Sequence, residues 1–134
     1  MKLRTLIPGL LLVLLTASCS GNPEEKIESS LKAIQATLPK EIGNHVIYNK
    51  ALYEKDAKTI VFGYVVEDLE EPFPEPVITA MKQTVIASLG EPSVAADPIW
   101  RLAARAGATF RYEYTLSSGA PASTFTLSPA EYRR

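Results

Sequence analysis

The stretch that decides the fold is residues 109–116, Thr-Phe-Arg-Tyr-Glu-Tyr-Thr-Leu. Apolar or aromatic side chains occupy every second position, and Thr, Arg or Glu stand between them. Because successive side chains of a strand point to opposite faces, this alternation predicts a half-buried β-strand. After the turn 117–121, Phe125 and Leu127 repeat the pattern in the segment 123–127, so the two segments are predicted to form an antiparallel pair.

Two further strands are predicted upstream, over residues 46–53 and 59–67. The second is apolar on both faces, which is typical of a strand inside a sheet. Apolar residues at helical spacing and end signals predict three amphipathic helices. They run from Pro23, capped by Asn22, to near Pro39, over residues 77–89, and as a shorter helix between its N-cap Asp97 and Gly107. The order α-β-β-α-α-β-β predicts an α+β fold, a four-stranded antiparallel sheet with the helices packed on one face.

The first nineteen residues have the order of a bacterial export signal. Lys2 and Arg4 give a cationic start, residues 6–15 are apolar, and three small residues precede Cys19, the only cysteine of the chain. An apolar run of about ten residues is too short to span a bilayer as a helix, so it is predicted to be cleaved. With no second cysteine, stability has to come from a packed core and not from a disulfide.

The segment Leu15-Thr16-Ala17-Ser18-Cys19 resembles the lipobox of bacterial lipoproteins, with Thr16 where that family usually carries Leu. The resemblance implies that residues 1–18 are a cleaved signal peptide and that Cys19 is the lipidated residue. A thioether-linked diacylglycerol with a further amide-linked chain would hold such a protein durably on its membrane. The alternative is an ordinary secretory signal with a cysteine near its cut site.

The same resemblance implies a location and a domain layout. An aspartate after the lipidated cysteine usually retains lipoproteins at the inner membrane, and this chain has Ser20 at that position. The implied location is therefore the outer membrane, with the lipid anchor on the periplasmic side. Residues 19–22 are then the lipidated cysteine and a short tether, and residues 23–134 are expected to form a single periplasmic α+β domain.

The charge of the chain argues against a nucleic-acid partner. Two of the 14 Lys and Arg residues lie in the signal, which leaves 12 against 15 Asp and Glu residues in the rest of the chain. Nucleic-acid binding proteins attract their ligand mainly through clustered basic residues, and no such cluster is seen. The same balance disfavours attraction to anionic lipid head groups by charge.

No set of residues with catalytic or cofactor-binding spacing is found. His45 is the only imidazole, so a nucleophilic triad and a metal site built from His and Cys are both unsupported. The glycines are too scattered to form a phosphate-binding loop. The paired carboxylates lie in a proline-rich loop where water would keep them ionised. We therefore expect no enzyme activity, no cofactor and no metal.

Two groups of side chains are candidates for binding a partner. An acidic, proline-punctuated loop offers carboxylates with one aromatic anchor, although such a loop is more often simply solvated. Two arginines four residues apart on the third predicted helix would share a face, although pairing with acidic residues of the same domain is the more common role. The candidate residues are Glu67, Asp68, Glu70, Glu71, Phe73, Arg101 and Arg105.

Residues 107–114 followed by residues 125–132 resemble the C-terminal pattern of small uncharacterised secreted proteins and some pilot-type lipoproteins. Together with the lipobox, this predicts a membrane-anchored, non-enzymatic module for protein interaction, assembly or targeting in the cell envelope. The alternative is an inhibitor or immunity lipoprotein that neutralises a basic toxin or hydrolase through the acidic loop. A small-ligand site between helix and sheet ranks third, because the chain has few bulky aromatic residues to frame a cavity.

Overall fold

The computed structural model describes residues 21–133, which form an α+β fold. Its elements in chain order are α1 Pro23–Gln35, β1 Lys40–Gly43, β2 Val46–Glu54, β3 Thr59–Val66, α2 Glu75–Ser88, α3 Pro92–Ala95, α4 Pro98–Ala106, β4 Thr109–Leu116, β5 Pro121–Leu127 and α5 Pro129–Tyr132. The predicted α+β class is confirmed, and all four predicted strands are present. The predicted signal, residues 1–18, and Cys19 lie outside the described residues.

The expectation of four antiparallel strands was wrong, because the sheet has five strands and is mixed. Its order is β1-β2-β3-β4-β5. β3 and β4 run parallel, with Thr59 opposite Thr109 and Val66 opposite Leu116, and the other three pairs are antiparallel. The connection from β3 to β4 carries three helices back to the end of the sheet where β3 begins, and a crossover of this kind makes neighbouring strands parallel.

The additional strand, β1, carries little signal in the sequence. It is four residues long, every residue of it is exposed, and it includes a glycine. It pairs with only the first residues of β2, with Lys40 opposite Tyr48. A strand this short and exposed has no apolar alternation by which it could be recognised.

The start of the first predicted helix and both ends of the third lie where their signals predict. The side chain of Asn22 accepts a hydrogen bond from the N–H of Glu24 at 2.8 Å and starts α1, and Asp97 accepts from the N–H of Ile99 at 3.0 Å and starts α4. Gly107 ends α4 with φ of 70°, a conformation that favours glycine. The first helix ends earlier than expected, at Gln35.

The core lies between one face of the sheet and the helices. Ile27 and Leu31 of α1 and Ala103 of α4 are at most 1% exposed and belong to the same apolar cluster as Phe110 and Leu127 of the sheet. Burying a side chain of this size contributes roughly 1.5–3 kcal/mol. The residues of the opposite sheet face do not belong to this cluster, so the main helices cover one face, as predicted.

The opposite sheet face carries a charged network that crosses three strands. Glu113 accepts from Lys50 Nζ at 2.9 Å and from Arg111 Nε at 2.8 Å, and Arg111 also donates to Glu54 at 2.8 Å. Partial burial opposes ionisation of Glu113, but the hydrogen bonds from Lys50 and Arg111 outweigh it and lower its pKa. Gly63 lies between Lys50 and Glu113 in the register, and its lack of a side chain lets Lys50 reach across β3.

Candidate partner-binding site

The covered face of the sheet is floored by aromatic rings. The register places Tyr48, Tyr64 and Tyr114 in one row across β2, β3 and β4. Their rings stack, with centroids 5.1 Å apart for the first pair and 5.0 Å apart for the second. In the next row Tyr112 stacks on Phe125 at 4.8 Å. Each such contact contributes about 0.5–1.5 kcal/mol beyond burial, so the stacking stabilises the floor.

A cavity of about 400 Å³ lies between this floor and the segment of α3 and α4. It is lined by Tyr48, Phe62, Tyr64, Ser93, Val94, Asp97, Ile99, Trp100, Phe110 and Tyr112. A second cavity, of about 240 Å³, shares four of these residues and reaches α1 at Ser30, Leu31 and Ile34. Because the two cavities adjoin, we treat them as one feature, the aromatic groove.

The lining of the aromatic groove is better suited to binding apolar side chains than to catalysis. Burial raises the pKa of Tyr64 and of Tyr112, so both phenols stay neutral at physiological pH. The carboxylate in the lining, Asp97, is held at the start of α4 by its bond to the Ile99 N–H. A cavity of this size lies within the range that admits a small ligand or a few inserted side chains.

The fold is similar to that of two type II secretion pilotins. EpsS of Vibrio vulnificus aligns with a TM-score of 0.57 and 12% identity over 84% of this chain and 93% of that protein. AspS of Vibrio cholerae aligns with a TM-score of 0.54 and 17% identity, over 82% of this chain and 92% of that protein. A Pseudomonas aeruginosa protein described as secreted aligns with a TM-score of 0.57 and 17% identity, over 83% of this chain and 93% of that protein. No model of a known family and no curated protein matches the sequence.

The ranking of a small-ligand cavity as the weakest candidate rested on a wrong premise. Six aromatic residues line the larger cavity, four of them from β3 and β4 and one each from β2 and α4. The sequence shows each strand's aromatic residues, but their convergence depends on the parallel pairing of β3 with β4, which was not expected. Ile99 and Trp100 lie on the third predicted helix, and apolar residues at helical spacing carry no signal that separates cavity lining from core.

The acidic loop lies at the end of the sheet where β3 ends. Its predicted site carboxylates Glu67, Asp68, Glu70 and Glu71 are exposed. Asp68 Oδ2 lies 3.2 Å from His45 Nε2, and both side chains are mostly solvated. This environment provides no walled pocket, so it does not add support to a catalytic role for His45.

Phe73 is half-buried and holds the loop on the sheet. Its ring meets Tyr114 edge-on at a centroid distance of 5.8 Å, and its N–H donates to Ser123 Oγ at 3.1 Å. The side chain proposed as an anchor for a partner therefore already contacts the sheet. Its role in binding a partner stays a prediction, as does that of the carboxylates before it.

Arg101 and Arg105 are both exposed on α4. Neither makes an ion pair within residues 21–133, so the alternative of pairing inside the domain is not observed. Helix α4 leads into the beginning of β4, whereas the acidic loop follows the end of β3. Since β3 and β4 are parallel, the helix ends at the opposite end of the sheet from the loop, and the two groups do not form one site.

Residues 21–133 contain neither a cluster of metal ligands nor a membrane-spanning helix. No group of three or more His, Cys, Asp and Glu side chains in that range could hold a metal ion. None of its helices is long and apolar enough to cross a bilayer. Cys19 lies before this range, and its lipidation stays a prediction.

Proposed function

We propose that the protein is a non-enzymatic targeting or assembly module of the bacterial envelope that holds an envelope protein partner in its aromatic groove. The observation that carries the proposal is the groove itself, a largely apolar trough in a fold similar to that of pilotins. The occupant we propose is an apolar segment of the partner, with side chains entering the two adjoining cavities. A component of a secretion system is the first partner to test.

The lining of the groove supports an apolar occupant. Aromatic and aliphatic side chains supply most of it, and the phenols of Tyr64 and Tyr112 are neutral. Ile34 at the α1 side is 36% exposed although it lines the smaller cavity, so part of the apolar surface faces solvent. Aromatic-rich pockets of this kind are typical of the buried centre of protein interfaces.

The proposed lipid anchor would place the groove close to the membrane. Four residue steps separate Cys19 from Pro23, where α1 begins, and a fully extended chain spans about 14 Å over that length. We propose that Cys19 is lipidated and that the anchor lies at the periplasmic side of the outer membrane. Such a tether would raise the local concentration of the groove for a membrane-bound partner.

The test is a comparison of protein location in cells that lack this protein. Quantitative proteomics of separated inner and outer membranes should find that an envelope protein, tested first among secretion components, leaves the outer membrane. The wild type should restore its location, whereas Cys19→Ser and Ile34→Asp should not. Ile42→Asp is the matched control, because Ile42 is 51% exposed and does not line the groove. An unchanged outer-membrane proteome would contradict the proposal.

The inhibitor hypothesis makes a different prediction for the same cells. If the acidic loop were the binding surface, Glu70→Gln with Glu71→Gln would abolish function while Ile34→Asp would not. Our proposal predicts the reverse, because neither carboxylate lines the groove.

A further inference from the structure

The two edges of the sheet differ in how they are protected. The β1 edge has four residues, carries Lys40 and Glu41, and contains an irregular register before Gly43. Short length, charge and bulges are devices that keep a sheet edge from pairing with another strand. The part of β2 beyond β1 is closed by Gln35, whose side chain accepts from Ala51 N–H at 2.8 Å and donates to Asn49 O at 3.4 Å.

The β5 edge is longer and uncharged, and its one register irregularity lies at its beginning, before Ser123. Its seven residues read Pro-Ala-Ser-Thr-Phe-Thr-Leu and include no charged side chain. A strand of this length with Thr and Phe at its centre has high β propensity. Proline stands only at its first position, where it does not hinder pairing of the rest of the strand.

The direction of the backbone groups of β5 follows from the hairpin. Leu116 donates its N–H to Ala120 O at 2.8 Å, so the even-numbered residues of β4 present their backbone groups to β5. Tyr112 is paired with Phe125, and the groups of Phe125 are therefore used within the sheet. Those of Thr124 and Thr126 point outward, and both residues are exposed. No hydrogen bond within residues 21–133 uses these outward groups.

Helix α2 lies against this same edge strand and is incompletely packed. It contacts mainly β5, and none of its 14 residues is buried. Val77 is 39% exposed, and Met81 and Val85 are only partly buried against the core. A surface helix normally buries its apolar stripe, so the edge of β5 offers both free backbone groups and apolar surface above them.

We propose that β5 accepts an extended segment of another protein as a sixth strand, with apolar side chains at alternate positions beneath α2 and polar side chains on the opposite face. The free N–H and C=O groups of an open edge bind an extended backbone. The apolar surface of α2 favours apolar side chains at every second position of that segment, on the helix side of the sheet. A second copy pairing through β5 alone would bring together seven residues of each chain, fewer than the roughly 20–30 residues a side of a stable interface. This surface is separate from the aromatic groove, which no β5 residue lines.

The test uses a fluorescent peptide of four Val-Thr repeats flanked by two Lys residues at each end, with the full-length protein in detergent. Fluorescence anisotropy should show saturable binding. The same peptide with an N-methylated core cannot form the backbone bonds and should not bind. Thr124→Pro removes an outward N–H without breaking the β4 pairing and should weaken binding about tenfold, whereas Thr124→Val keeps the N–H and should change it less than twofold.

A second measurement covers the case in which the proline variant does not fold. In the wild type, the peptide should slow hydrogen exchange of the Thr124 and Thr126 amides, and the methylated peptide should not. Equal binding of the two peptides, or no change at these amides, would overturn the inference. A protein that sediments as a dimer and becomes a monomer with Thr124→Pro would also overturn it, because the occupant would then be a second copy. None of these outcomes depends on the groove.

Discussion

Replacing Gly63 by Ala tests the packing of β2 on β3 most sharply. A Cβ built on Gly63 would lie 2.8 Å from Lys50 Cβ and 3.2 Å from Asn49 Oδ1, whereas ordinary van der Waals contacts begin at 3.4 Å. The nearest atom, Lys50 Cβ, cannot swing away as the end of a flexible side chain can, so the strands have to separate locally. Overpacking of this kind costs about 1–3 kcal/mol, which corresponds to a fall in Tm of about 4–12 °C for a domain of this size.

The assay is chemical denaturation followed by circular dichroism, with two controls. Gly43→Ala is the matched substitution, because a Cβ there meets nothing within 4 Å and should leave stability unchanged or slightly raised. In a Lys50→Gly background the clashing Cβ is gone, so Gly63→Ala should cost clearly less than in the wild type. Equal stability of Gly63→Ala and wild type, or an equal cost in both backgrounds, would refute the reasoning.

Two further predictions concern single side chains. Tyr132 is 4% exposed and donates its hydroxyl to Ala108 O at 2.6 Å, so Tyr132→Phe leaves a buried acceptor unpaired and should lower the unfolding free energy by about 1–3 kcal/mol in urea titrations. The lowered pKa of Glu113 stabilises the fold above the ordinary value of 4.5, and this contribution is lost as the pH falls below it. Glu113→Gln should therefore be less stable at pH 7 and show a flatter stability profile below pH 4.5; parallel profiles would contradict this.

Local sequence signals predicted the helices and strands well where the deciding interactions join residues that are close in the chain. The Asn22 and Asp97 caps, the αL glycine at Gly107 and the alternation in residues 109–116 each depend on neighbours in the chain, and the structure contains all of them. The direction of β4 relative to β3 could not be read this way. It depends on where the helical connection 67–108 carries the chain, which no local pattern fixes.

The candidate site was less accessible to sequence reasoning than the fold. Residues such as Phe62, Tyr64 and Tyr112 look like core residues of separate strands, and most of their ring area does pack within the domain. Only the register brings them together, and only the position of α4 leaves a trough above them. Clustered charge is visible in the sequence without knowledge of the register. The sequence therefore points to the acidic loop and the α4 arginines as candidate binding residues.

The central claim is that the aromatic groove holds an envelope partner, and crosslinking from inside it tests this most directly. A photoreactive benzoylphenylalanine at position 34, in the groove, is compared with one at position 42, on the β1 edge. In living cells, the account predicts that position 34 crosslinks an envelope protein that Cys19→Ser no longer reaches, and that position 42 does not. Crosslinks to that protein from position 42 alone, or from neither position, would contradict the account.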